Sequence, residues 1–191
     1  MNNIIYPFQI PIYQNFIDRE SFNIIKEDTY KFIQKNQDLF ESIWLCPTKT
    51  TQHHPLNKNI KSRVLNNQIK IYVENYYKAW DFNESCNLKI SEIWVNIAKT
   101  NDYQEEHNHN SNLFSGVVYI NTNEFSGDFN FINPLSAEGS LMGNPNKCGF
   151  MSSIKPQNGM ILLFPSWFNH RALPNNSDED RISISFNIKR I

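Results

Sequence analysis

Cysteine is scarce in this chain of 191 residues: there are three, Cys46, Cys86 and Cys148, far apart and in no C-x-x-C spacing. An odd, scattered set excludes a disulfide framework and a cysteine-built zinc knuckle, and it fits a reducing compartment. An excess of charge of either sign is missing too. Lysine and arginine total 18 against 19 acids, and no basic run is present that could neutralise a row of phosphates. A direct nucleic-acid interface is therefore not expected. No apolar run approaches the roughly 18 residues of a membrane-spanning helix. The opening MNNIIYPFQIPIYQNF lacks a basic segment followed by an unbroken apolar one. The expectation is a soluble, unprocessed, cytoplasmic protein with no membrane partner.

What is present divides in two. A chain of this length suits one domain over residues 1–191, with a helical part at 1–87 packing on a β-rich part at 88–191. Phe22, Ile25, Phe32 and Ile33 follow the helical period, and Asp18 or Ser21 can cap the start, which predicts a helix over 19–36. Ile60, Val64, Leu65, Ile69, Tyr72, Val73, Tyr76 and Trp80 predict a second, clearer helix. The segment between them, broken by Pro47 and Pro55, reads as loop. From residue 88 the period falls to two. Strands are expected near 88–99, 113–121, 127–132, 150–155, 159–164 and 181–189, with Gly, Pro and Asn turns between them and no long helix. That pattern favours an antiparallel sandwich or jelly roll over a parallel sheet.

In the stretch EEHNHN, His107 and His109 are two residues apart, so on an extended chain both imidazoles face one side and can meet one ion. Alone, H-x-H is also what a polar loop tip looks like. A third ligand must come from another strand, and the next histidine is His170 in FPSWFNH. A jelly roll can bring such distant strand ends together. In RISISFNIK, Ile182, Ile184, Phe186 and Ile188 line one face and leave Arg181, Ser183, Ser185 and Asn187 on the other. A guanidinium followed two residues later by a hydroxyl can grip a carboxylate. Standing alone, that face would more simply be an ordinary solvated one, but it does not stand alone, because Arg181 lies 11 residues after His170.

Taken as a set, H-x-H, SGVVY, LFPSW-x-x-H and R-x-S-x-S-F-N resemble the Fe(II)- and 2-oxoglutarate-dependent oxygenase superfamily, in a branch distantly related to prolyl hydroxylases. The resemblance spans about residues 90 to 190, with a weaker echo in YPFQIPIYQNFI. It implies a mainly β fold, a double-stranded β-helix (jelly roll) core with N-terminal helices. It also implies Fe(II) on His107, His109 and His170, and 2-oxoglutarate as cosubstrate with its distal carboxylate on Arg181 and Ser183. The implied reaction consumes O2, converts the ketoacid to succinate and CO2, and hydroxylates an unactivated C–H bond. One position departs from the pattern: an Asp or Glu is usual where His109 stands. Glu105, Glu106 or Asp128 could supply a carboxylate instead, and His109 is the preferred reading.

Further cosubstrate-binding candidates are Asn96, which shares a strand face with Trp94, and Tyr119, Tyr103 and Gln104. Core filling is the default for a strand tyrosine, and a buried asparagine often serves a backbone group. Trp167 is expected at the barrel mouth, and the adjacent His53 and His54 at the surface. Two other readings remain open: a three-histidine, cupin-like dioxygenase that needs no ketoacid, and a non-catalytic metal-binding jelly roll. The primary substrate, a small molecule or a peptide side chain, is expected to be selected by loops 40–60 and 134–150. The sequence does not fix an oligomeric state, although exposed edges of an antiparallel sandwich often pair to give a homodimer.

Overall fold

A two-residue period buries one face of a strand against each neighbouring layer, and here two layers compete for it. In a computed structural model, which describes residues 10–43, 45, 47–80, 86–134 and 151–191, the described strands form two antiparallel sheets. In chain order they are β1 (Tyr13–Phe16), β2 (Glu41–Ser42), β3 (Lys49–Thr50), β4 (Leu88–Ala98), β5 (Gln104–His107) and β6 (Phe114–Asn121). Then come β7 (Phe129–Ile132), β8 (Met151–Ile154), β9 (Met160–Pro165), β10 (His170–Ala172) and β11 (Arg181–Arg190). The large sheet runs β1-β9-β6-β11-β4-β3-β2 and the small one β5-β10-β7-β8. From β4 onward the chain passes back and forth between the sheets, which is the winding of a double-stranded β-helix.

Alternation sorts the side chains. Ile182, Ile184, Phe186 and Ile188 of β11, with Ile93 and Val95 of β4, face outward into one core. Two helices cover it, α1 (Arg19–Lys35) and α2 (Arg63–Ala79), through Ile25, Leu65, Ile69, Val73 and Tyr76. Asp18 caps α1 by accepting from the Ser21 amide at 2.9 Å, and Ser62 caps α2 by accepting from Leu65. The opposite face of the large sheet looks into the barrel, where Val117 of β6 and Leu162 and Phe164 of β9 meet Phe129 and Phe131 of the small sheet.

Gly116 lies where the layers crowd. A Cβ there would sit 2.8 Å from the Leu162 carbonyl oxygen and 2.8 Å from Leu163 Cδ2, with the Phe186 ring closer still. Only glycine lets β6 run between them.

The N-terminal half is not purely helical. Strand β1 pairs with β9 and β3 with β4, so this half extends the large sheet as well as covering it. No helix among the described residues is long and apolar enough to cross a membrane.

Candidate metal centre and active site

Strands β5 and β10 pair His107 directly opposite His170. Cross-strand partners hold their Cβ atoms about 5 Å apart, and the two rings lie 4.4 Å apart, centre to centre. His109, just past the end of β5, closes the triangle at 5.1 Å from His107 and 5.3 Å from His170. One ligand nitrogen of each lies within 4.8 Å of the others. Three nitrogens at that spacing could hold one metal ion between them.

The protonation of these rings suits a cation. His107 Nδ1 lies 2.7 Å from the Glu105 carbonyl and His170 Nδ1 lies 2.8 Å from the Phe168 carbonyl. A carbonyl only accepts, so each Nδ1 carries the proton and each Nε2 keeps its lone pair. Burial lowers the pKa of all three imidazoles. The neighbouring rings add to this for His109, which is pushed to about 4, and for His170, which lies well below its ordinary value. At neutral pH the cluster is three bare nitrogen donors. His170 is the most enclosed, stacked on Phe129 at 5.3 Å and edge-on to Phe164 at 4.7 Å.

The cluster contains no carboxylate. Glu105 Oε1 accepts from the Leu45 amide, and Glu106 Oε1 accepts from Asn169 Nδ2, each at 2.8 Å. Asp128 lies in the neighbouring cavity instead. That second cavity continues along β11 and is lined by Tyr119, Arg181 and Ser183, while Gln104, Val117, Phe129 and Ser185 line both cavities. Each has about 20 Å³ of free volume, the room of a single water.

Arg181 is buried, and its Nη1 donates to the carbonyls of Ser126 and Gly127 in one turn and of Leu173 in another segment, the last at 2.8 Å. Gly127 makes that turn possible. Its φ is +72°, and a Cβ would meet the Leu173 carbonyl oxygen at 2.6 Å. The Tyr119 hydroxyl is fully enclosed, and burial raises its pKa against the opposing pull of Arg181, so it stays a neutral donor.

The remaining candidates divide. Asn96 sits across from Ser183 and is 3% exposed; its Nδ2 donates to Ser185 Oγ at 3.0 Å, and its Oδ1 has no partner among the described residues. Trp94 lines the histidine cavity, 5.5 Å from the His109 ring. Tyr103 is not brought in: it is 38% exposed and lines neither cavity. Trp167 is 48% exposed beside the buried Phe168. His53 and His54 lie outside the cluster. Of the expected substrate loop 134–150, everything after Pro134 is outside the described residues, as are Cys46 and Cys148. Sequence reading assigned nothing to Ser115 and Ser166, which are buried beside the histidine cavity; their one signal is their place in the motifs SGVVY and LFPSW.

The family described as "Putative 2OG-Fe(II) oxygenase" has a model that matches residues 92–187, half of the chain. The chain belongs to this family of 2-oxoglutarate- and Fe(II)-dependent oxygenases, and the three-histidine cluster and the Arg181 cavity both lie within the matched segment. Solved structures with the same fold include a prolyl-4-hydroxylase from Pseudomonas putida, at 11% identity and a TM-score of 0.67, covering 95% of this chain and 94% of that one. A viral collagen prolyl hydroxylase from Paramecium bursaria Chlorella virus-1, solved with 2-oxoglutarate, shares 16% identity at 0.61, covering 94% and 96%. HygX from Streptomyces hygroscopicus, solved with nickel, 2-oxoglutarate and hygromycin B, shares 13% at 0.58, covering 94% and 83%. At these identities the likeness is one of fold. No curated protein sequence matches the chain.

Proposed function

We propose that the protein is an Fe(II)- and 2-oxoglutarate-dependent dioxygenase that hydroxylates an unactivated C–H bond of a small molecule or a peptide side chain. One oxygen atom of O2 would enter that substrate and the other the succinate formed with CO2 from the ketoacid. The observation that carries this reading is one of adjacency. Three neutral imidazoles converge on one point, and a buried guanidinium lies in the next cavity along the same barrel, with Ser185 lining both.

His107, His109 and His170 would hold the iron through three nitrogens, leaving open positions for the ketoacid and O2. Bound there with its ketoacid, the iron supplies O2 activation and oxidative decarboxylation. The chain's own part is positioning. Arg181, its guanidinium plane fixed by the carbonyls of Ser126, Gly127 and Leu173, would offer a fork to the distal carboxylate, with Ser183 adding a hydroxyl. Tyr119 stays protonated and can donate to the same ligand. Asn96 Oδ1 is a buried acceptor in need of a donor. Trp94, Phe129 and Phe164 exclude water around the histidines. Each cavity holds only about a water, so loading the ketoacid joins the two. Gln104, the one long flexible side chain common to both, would have to move aside for it.

The test is turnover without primary substrate. The protein with Fe(II) and 2-oxoglutarate should form succinate in step with O2 uptake, and His107→Ala should abolish it. The missing carboxylate ligand favours a second reading, a three-histidine dioxygenase that uses no ketoacid. O2 uptake with a substrate but no succinate would select that reading, and iron binding with neither would refute both.

A further inference from the structure

Three polar residues of the sequence motifs have no part in the reading above: Ser115 of SGVVY, Ser166 of LFPSW and Asn187 of SFN. They come from three different segments, and all are buried, Ser166 completely. They meet in one hydrogen-bonded chain. The Ser115 and Ser166 hydroxyls are 2.8 Å apart, Ser115 Oγ donates to Asn187 Oδ1 at 2.7 Å, and Asn187 Nδ2 donates to the Glu92 carboxylate. The direction of this chain is determined. A carboxylate only accepts, so Glu92 forces the Asn187 amide to present its oxygen to Ser115. The Ser115 proton is then committed to Asn187, and Ser166 must donate to Ser115.

Both ends of the chain lead to His109. On one side the Ser166 carbonyl accepts the His109 amide at 2.7 Å. On the other, Ser91 Oγ lies 3.2 Å from the Asn187 carbonyl and 2.9 Å from Asn112 Oδ1, and the Asn112 amide donates to the His109 carbonyl at 3.0 Å. His109 needs such support more than its partners do. The rings of His107 and His170 are each fixed by an Nδ1 bond to a carbonyl, whereas His109 has its main-chain bonds and ring contacts with Trp94 and the other two histidines.

We infer that Asn187, acting through Ser115 and Ser166, is a positioning residue that sets the backbone of His109 and so aims the third imidazole at the metal. This rests on the reading of the three histidines as metal ligands. In that reading His109 takes the position of the usual carboxylate, and a neutral ring has less hold on a cation than an anion does. A built support for its backbone offsets that loss.

The test uses Co(II) as probe, with no turnover required. Wild type, His109→Ala, Ser115→Ala, Asn187→Ala and the exposed-site variant Glu92→Lys are titrated with Co(II), recording affinity, the visible ligand-field bands and the melting temperature. Ser115→Ala and Asn187→Ala should raise the Co(II) Kd about 10- to 100-fold, as expected for losing an outer-shell partner, and should move the bands toward those of His109→Ala. A purely structural role would lower the melting temperature and leave the bands of the bound form unchanged, which would overturn the inference. Should the buried variants not fold, Glu92→Lys decides. It puts a donor with no acceptor where the carboxylate stood and so turns the Asn187 amide over; weakened binding with a shifted spectrum supports the inference, and wild-type affinity and bands refute it. If wild type itself binds no Co(II), the metal reading fails and the inference fails with it; wild-type binding with unaltered variants removes the inference alone.

Discussion

Replacing Arg181 by lysine separates two jobs that the guanidinium can do at once. Its Nη1 is committed to the carbonyls of Ser126, Gly127 and Leu173, which staple one turn to the segment after β10, and Arg181 also lines the cavity with Ser183 and Tyr119. An ammonium is a single point of charge and can serve the carbonyls or a carboxylate, not both in the same geometry. With the carbonyls close and always present, the substituted lysine should turn to them and keep the fold. The cosubstrate then loses a charge-assisted bond worth about 2–3 kcal/mol, which corresponds to about 30- to 150-fold weaker 2-oxoglutarate binding. Calorimetric titration of 2-oxoglutarate into Mn(II)-loaded protein, beside urea unfolding of the same samples, reads both effects. If Arg181→Lys binds 2-oxoglutarate within about twofold of wild type while unfolding more easily, Arg181 is only a staple, and its assignment to the cosubstrate is wrong.

Gly116→Ala drives a Cβ into a ladder carbonyl and two core side chains, and should cost about 2–3 kcal/mol, or about 5–10 °C in melting temperature; a change under about 1 kcal/mol would show that β6 has more room than described. His109→Ala should weaken Fe(II) or Co(II) binding by more than the 10- to 100-fold typical of an outer-shell change, while Glu105→Gln and Asp128→Asn stay near wild type. The opposite ranking in a metal titration would make a carboxylate the third ligand. For the metal-free protein, the three imidazoles have pKa values lowered by burial, so the unfolded chain binds protons that the folded one refuses. Stability is therefore complete above the ordinary histidine value of 6.5 and falls as pH drops toward the value of about 4 for His109; urea midpoints flat across this window would contradict the burial of the cluster.

The sequence made some of this plain and hid the rest for physical reasons. The eight-residue strand β6 can be placed by its run of β-branched and aromatic residues and the ten-residue β11 by its alternation, and α2 repeats its apolar stripe over four turns. From that alternation the polar face of β11 could be read, and with it Arg181 and Ser183. Short strands give no such signal. β5 reads QEEH, polar throughout and poor in β-formers, and β10 has three residues; yet their pairing is what sets His107 opposite His170. The N-terminal strands β1, β2 and β3, four, two and two residues long, were hidden in the same way. Tyr103 was a candidate by nearness in sequence to the histidines, but the bulge between β5 and β10 means that nearness does not fix which side a residue faces. The Ser115–Ser166–Asn187 cluster joins residues 51 and 72 positions apart, and nothing local announces it.

The central claim is that the histidine triangle and the Arg181 cavity are two halves of one site. Anaerobic Fe(II) titration with and without 2-oxoglutarate, in wild type and Arg181→Ala, tests it directly. A weak visible charge-transfer band that needs both ligands and fades in the variant is the predicted result. Iron binding with no band on adding 2-oxoglutarate would contradict the claim, because the ketoacid would then not reach the bound iron.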